Sequence, residues 1–150
     1  MILRSYSFRD GGNIPRTFTC EGANTSPSLV IEDVPRDAKS LALIIDDPDA
    51  TMARTFTHWL IWNIPPETTE LREGEVPRGA VQGRNDFGDE GYGGPCPPRG
   101  SKPHRYMFKL YALDKILDLR RGAEKDRLEK AIEDHILERT TLMGLYARAI

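Results

Sequence analysis

The spacing of apolar and polar positions changes character several times along this chain. Ser40-Leu41-Ala42-Leu43-Ile44-Ile45 is almost continuously apolar and is cut off by Asp46-Asp47-Pro48-Asp49. A run of that length, with β-branched residues and a proline stop, predicts a central strand buried on both faces. His58-Trp59-Leu60-Ile61-Trp62-Asn63-Ile64 predicts another, halted by Pro65-Pro66. Earlier, Tyr6-Ser7-Phe8 leads into the turn Asp10-Gly11-Gly12-Asn13, and Leu29-Val30-Ile31 stops at Asp33-Val34-Pro35. Residues 104–113 read as a long strand. Alternation there puts His104, Tyr106, Phe108 and Leu110 on one face and Arg105, Met107, Lys109 and Tyr111 on the other. The period then becomes helical. Leu128, Ala131, Ile132 and Ile136 form one apolar stripe with charged residues opposite, predicting a helix over 125–137. A last strand is expected over 140–148.

Residues 74–103 follow neither period. They hold thirteen of the chain's 24 glycines and prolines. Glycine raises the cost of ordering and proline removes a backbone donor, so regular structure is not expected there. Such a length is too great for a simple connector. With Phe87 and Tyr92 to pack it down, it reads as an ordered loop covering one end of a sheet. There are no repeats. The prediction is one β-rich α+β domain over residues 1–150 with one main helix near the C-terminus.

Composition narrows the class. A chain of 150 residues with 39% apolar and 29% charged residues is a globular balance. At that size, folding buries about 68–70% of the unfolded surface, so no metal or disulfide is required for stability. The longest apolar run, Leu41 to Ile45, is far short of a membrane span. The opening Met1-Ile2-Leu3-Arg4-Ser5 has no basic leader ahead of an apolar block, so a cytoplasmic protein is expected. Twenty-one basic against 23 acidic residues give a net charge of −2, which argues against a nucleic-acid binder. Cys20 and Cys96 could pair once, but in that compartment reduced thiols are expected, and neither lies in a CxxC zinc pattern. A lone glutamine, Gln82, and four asparagines amid abundant charge hint at a thermophilic source.

Chemistry-bearing residues gather at strand ends next to the Gly/Pro-rich loop. Asp47 and Asp49 follow the strand that ends at residue 45, His58 opens the next, and His104 and Tyr106 open the long one. His135 falls beside the helical stripe and is expected to serve packing. In this setting the letters resemble a known family. Asp46-Asp47-Pro48-Asp49-Ala50, His58 to Asn63, and Gly91-Tyr92-Gly93-Gly94-Pro95-Cys96-Pro97-Pro98 followed by His104-Arg105-Tyr106 are similar to the phosphatidylethanolamine-binding protein family. That family is also called Raf kinase inhibitor-like, and the likeness is to its bacterial and archaeal branch. It starts at Thr19-Cys20-Glu21-Gly22 and reaches the Leu142-Met143-Gly144-Leu145-Tyr146-Ala147-Arg148 tail. Two departures are visible: Thr51 stands where the family often has proline, and Ile31 where many members have tryptophan.

The resemblance implies a large central sheet, antiparallel in type, with a smaller sheet packed on it. It also implies an anion pocket built from Asp47, His58, the backbone around Gly94 and Cys96, His104 and Tyr106, with Asp49 in support. It brings kinase and serine-protease inhibition as possible protein-partner roles. The residues themselves support an anion site: two imidazoles and a phenol offer N–H and O–H donors to a phosphate or carboxylate. Glycines 91, 93 and 94 could add a nest of backbone N–H groups. Asp47 fits if it orients a histidine or holds a ligand's ammonium group, and phosphoethanolamine would suit both halves. Prolines 95, 97 and 98 stiffen the wall. Histidine protonation is expected to strengthen anion binding as pH falls from about 8 to 6.

Other chemistries fit less well. Two histidines and a carboxylate suggest a metal triad, but tyrosine is a poor ligand and no HxH or HExxH spacing is present. A hydrolase using Cys96 or a serine as nucleophile lacks the GxSxG elbow, and neither a P-loop nor a GxGxxG motif occurs. The expectation is a non-enzymatic binding protein with no cofactor, taking a small phosphorylated or carboxylate ligand. Regulation of a protein partner and a homodimer formed through the terminal strand remain open at this point.

Overall fold

A computed structural model describes residues 1–51 and 54–150. Its centre is the strand predicted from the uninterrupted apolar run: β4, Ser40–Asp47, is buried along its whole length. It pairs antiparallel on one side with β5, Phe56–Ile64, and on the other with β8, His104–Leu113. β8 in turn pairs antiparallel with β9, Ile136–Tyr146, which carries a short parallel partner, β2, Gly12–Asn13, on its outer edge. β7, Val81–Gln82, closes the far edge beside β5. This six-stranded sheet runs β2-β9-β8-β4-β5-β7. A smaller sheet, β1-β3-β6, is made by Ile2–Arg4, Leu29–Glu32 and Glu70–Leu71.

The period-two geometry of β4 divides the core into two layers. Leu41, Leu43 and Ile45 face the small sheet, where they meet Leu3, Leu29, Ile31, Trp59 and Phe108. Ala42 and Ile44 face the other way, with Leu60 and Trp62, against Leu128 and Ile132 of the helix. Both faces are therefore covered, which is why β4 needs no polar alternation. The alternation expected for β8 holds: Tyr106, Phe108 and Leu110 are 1% exposed, while Arg105 lies outside. Asp46 points to the helix side, where it accepts from Lys109 Nζ at 3.1 Å and Lys125 Nζ at 2.8 Å, tying the helix to the sheet.

Three expectations change. The helix is α1, Lys125–Ile132, shorter than predicted. His135 N–H closes a turn onto Ile132 O, and Ile136 then pairs with Leu113. The i, i+4 spacing of Ile132 and Ile136 mimics a helical stripe, but the free edge of β8 takes the segment as strand. β9 accordingly starts at Ile136, ahead of the predicted 140, and ends at Tyr146. His135 lies outside the helix, with its Nδ1 2.8 Å from Asp114 Oδ1. The small strands β1, β2, β6 and β7 carry too few residues to show a period. β7 lies inside the Gly/Pro-rich loop, which is otherwise irregular.

The cysteines depart furthest from expectation. Cys20 and Cys96 form a disulfide, with their Cα atoms 5.4 Å apart. The loop and the turn after the 3₁₀ segment Arg16–Phe18 are held together around it. Cys20 N–H donates to Pro95 O at 3.1 Å, Tyr92 Oη donates to Phe18 O at 2.6 Å, and Gly94 N–H donates to Asn24 Oδ1 at 2.8 Å. The bond removes the reduced-thiol support for a cytoplasmic location. Among the described residues no helix is long and apolar enough to cross a membrane.

Because the bridge joins positions 76 apart, it restricts the unfolded chain strongly. Chain-entropy arguments give about 4.5 kcal/mol for a loop of that length. The double substitution Cys20→Ser, Cys96→Ser is therefore expected to lower the denaturant midpoint clearly, as is a reductant. A midpoint indifferent to reductant would show that the bond contributes nothing to stability.

Candidate functional site

Antiparallel pairing brings the end of β4 beside the starts of β5 and β8. That is where Asp47, His58, His104 and Tyr106 meet, lining a single cavity of about 310 Å³ together with Phe56, Phe87, Cys96, Pro97, Pro98 and Arg148. Ala50 and Thr51 form part of its rim, so the departure at Thr51 lies on the pocket, whereas Ile31 is buried in the core.

His58 reaches this cavity through an irregularity. Ile45 pairs with Trp59 and Asp46 with Thr57, so His58 is the extra residue of a β-bulge. Simple alternation from Leu60 and Trp62 would send its ring to the helix side. The bulge turns it toward Tyr106, whose ring it meets edge-on with centroids 5.2 Å apart. His104 stacks on the same tyrosine at 6.5 Å.

Hydrogen bonds settle the ring tautomers. His58 Nδ1 lies 2.6 Å from Gly93 O, a group that only accepts, so Nδ1 carries the proton. His104 Nδ1 lies 2.7 Å from Asp47 Oδ2 and donates to it. The other Asp47 oxygen, Oδ1, accepts the N–H of Asp49 at 2.8 Å. Asp47 thus takes the histidine-orienting role of the two foreseen for it. Nε2 of His58, Nε2 of His104 and the Tyr106 hydroxyl have no hydrogen-bond partner among the described residues, and none is sealed from the cavity.

Burial sets the charge states. Desolvation holds the His58 pKa below its ordinary value despite the favourable Gly93 carbonyl and the Asp47 charge. His58 is therefore neutral near neutrality, and its free Nε2 is an acceptor. This corrects the expectation that both imidazoles act as protonated donors. Desolvation, then the Asp47 charge, pushes the Tyr106 hydroxyl up, so it stays protonated.

Asp49 does not line the cavity. It grips Arg105, with Nε to Oδ2 at 2.9 Å and Nη2 to Oδ1 at 2.8 Å, and also accepts the Arg105 N–H. The side-chain bond to Arg105 is the main reason its carboxyl is held at about 2. Its place is structural: it fastens β8 to the turn that follows Asp47.

The proposed glycine nest is absent as well. Gly91 N–H donates to Gly83 O, Gly93 N–H to His58 O, and Gly94 N–H to Asn24 Oδ1, so these amides are occupied within the protein. Their smallness matters instead: a Cβ on Gly93 would sit 2.4 Å from the Phe87 ring, and one on Gly94 2.3 Å from Phe18 O. Cys96 lines the wall as half of the disulfide, so it supplies no thiolate, which removes the cysteine-nucleophile alternative. No serine lines the cavity among the described residues.

Three contributors escaped the sequence reading: Phe56 at the start of β5, Phe87 and Arg148. Phe87 is presented by a turn in which Asn85 Oδ1 accepts the N–H groups of Phe87 and Asp89. Arg148 arrives from the end of β9, where Tyr146 pairs with His104, and its Nε donates to Pro97 O at 2.7 Å. Only the β8–β9 register reveals that a residue so distant in sequence shares the pocket.

Comparison with known proteins agrees with this layout. Residues 4–147 match the family described as Phosphatidylethanolamine-binding protein. The chain belongs to the phosphatidylethanolamine-binding protein family. A UPF0098 protein of Methanothermobacter thermautotrophicus is 52% identical over 153 residues, covering 99% of each chain. The crystal structure of the family homologue CT736 from Chlamydia trachomatis matches with a TM-score of 0.91 at 41% identity, covering 97% of this chain and 96% of that one. YbcL of E. coli, described as a member of the mammalian PEBP family, matches with the same TM-score at 34% identity and the same coverage. The two-sheet architecture with one main helix is the family's fold.

The lowered His58 pKa has a consequence for stability. The unfolded chain takes up a proton on this residue near its ordinary value of 6.5, while the folded chain resists it. Stability is therefore lost as pH falls below about 6.5. His58→Gln is expected to flatten that part of the acid limb. Identical slopes of unfolding free energy against pH in wild type and variant would refute the assignment.

Proposed function

We propose that this chain is a binding protein that takes a small phosphate- or carboxylate-bearing ligand into the Asp47/His58/His104/Tyr106 cavity without turning it over. The observation that carries this reading is the set of three polar atoms, Nε2 of both histidines and the Tyr106 hydroxyl, without protein partners among the described residues in one partly enclosed hollow. Polar atoms held in a fixed array cost little to reorganise on binding. The array is rigid because Asp47 and Gly93 lock both rings and the disulfide-anchored wall holds prolines 97 and 98. Phosphoethanolamine is a fitting member of this ligand class, as the family's name suggests. A protein partner would meet the cavity mouth, where Phe87 is 47% exposed.

Removing His104 takes away a ligand contact and strands the buried Asp47 carboxylate. Loss of a hydrogen bond to a charged group is worth about 1.5–3 kcal/mol, or roughly 10- to 100-fold in affinity. His104→Ala is expected to weaken binding of phosphoethanolamine or phosphate, measured by calorimetry, by that factor. His135→Ala, whose ring pairs with Asp114 away from the cavity, should leave affinity unchanged. Equal losses would place the site elsewhere.

A further inference from the structure

The charges around the cavity are unevenly partnered. Asp47 is engaged by His104 and by the Asp49 N–H, and Arg105, just outside, is neutralised by Asp49. Arg148 is the one lysine or arginine lining the cavity among the described residues, and it pairs with no carboxylate there. Its Nε is fixed by Pro97 O, which leaves the two terminal guanidinium nitrogens of this half-buried residue for other partners. Pro97 follows the disulfide-bonded Cys96, so the guanidinium is positioned by a segment that is covalently tied to the turn at Cys20. A planar guanidinium oriented this way suits two oxygens of a tetrahedral anion.

His58 has the opposite polarity. The Gly93 carbonyl requires the proton on Nδ1, and a ring that is 3% exposed among Phe56, Phe87 and Tyr106 is a poor place for a second proton. Its Nε2 therefore presents a lone pair. An anion whose oxygens are all acceptors would face that lone pair without a hydrogen bond, whereas an anion that keeps one O–H would satisfy it. Sites built around a specific hydrogen bond reject an analogue lacking its proton because the buried group is left unpaired.

Taken with the reading of this cavity as an anion site, on which the inference rests, we propose that Arg148 is the anchoring cation and His58 Nε2 the proton-reading acceptor. Together they select a singly protonated phosphate group over an unprotonated tetrahedral anion. Arg148, the Tyr106 hydroxyl and the Nε2–H of His104, held as an imidazolium between Asp47 and the anion, donate to the anionic oxygens, and the remaining P–OH donates to His58. Inorganic phosphate keeps at least one P–OH at about neutral pH and sulfate keeps none, so the pair tests the idea with nearly equal size and shape.

The experiment is calorimetric titration of the full chain, at constant ionic strength, with inorganic phosphate and with sulfate. Wild type is expected to bind phosphate at least about tenfold more tightly than sulfate. Arg148→Gln should lose about tenfold or more in phosphate affinity, and Arg148→Lys should recover part of it. Arg4→Gln, which removes only a surface pair with Glu32, should change neither. Sulfate binding as tight as phosphate in wild type overturns the role given to His58, and needs no variant to fold. Undiminished phosphate affinity in Arg148→Gln overturns the anchor, even where His104→Ala still weakens binding. Wild type that binds neither phosphate nor phosphoethanolamine overturns the anion-site reading itself and this inference with it.

Discussion

The site depends on one topological constraint: a doubly covered central strand with antiparallel partners on both sides. Antiparallel pairing obliges the end of β4 to lie next to the beginnings of β5 and β8. Residues 47, 58 and 104, which are widely separated in sequence, are therefore neighbours without any helix or loop having to carry them. The apolar stretch from Leu41 to Ile45 drives this arrangement, since both its faces must be covered, here by the small sheet on one side and the helix on the other. Function sits where that burial ends and the chain turns polar.

A carboxylate in the wall of an anion site is a paradox in isolation. Here its charge is shared out: one oxygen of Asp47 holds His104 and the other holds the backbone of Asp49. Asp49 in turn is consumed by Arg105 on the outer face. The acidic turn thus acts as a frame that aims an imidazole, and little of its negative potential is left unpartnered. The same economy governs the glycines after Gly91, whose amides brace the wall and whose missing side chains admit Phe87 and Phe18.

Stiffness on the opposite side comes from covalent and backbone links. The disulfide, the Cys20–Pro95 and Gly94–Asn24 hydrogen bonds and the Tyr92 hydroxyl together fasten an irregular segment that has almost no secondary structure of its own. Gly93 shows how closely fold and site are joined: its N–H and C=O both bond to His58, through the backbone oxygen and through Nδ1. Moving the segment would move the ring.

Much of this was legible in the chain alone. The apolar run marked β4, period two gave both faces of β8, and the motif spacing placed Asp47, His58, His104 and Tyr106 at strand ends, because those patterns reflect local burial. Where two periods fit the same residues, as at Ile132 and Ile136, only the presence of an unpaired strand edge chose between helix and strand. The Cys20–Cys96 bond, the bulge that turns His58, the capture of Asp49 by Arg105 and the arrival of Arg148 were decided by tertiary structure. Each depends on the register or proximity of segments remote in sequence, and a linear pattern of side chains carries no record of which strand residue stands opposite which.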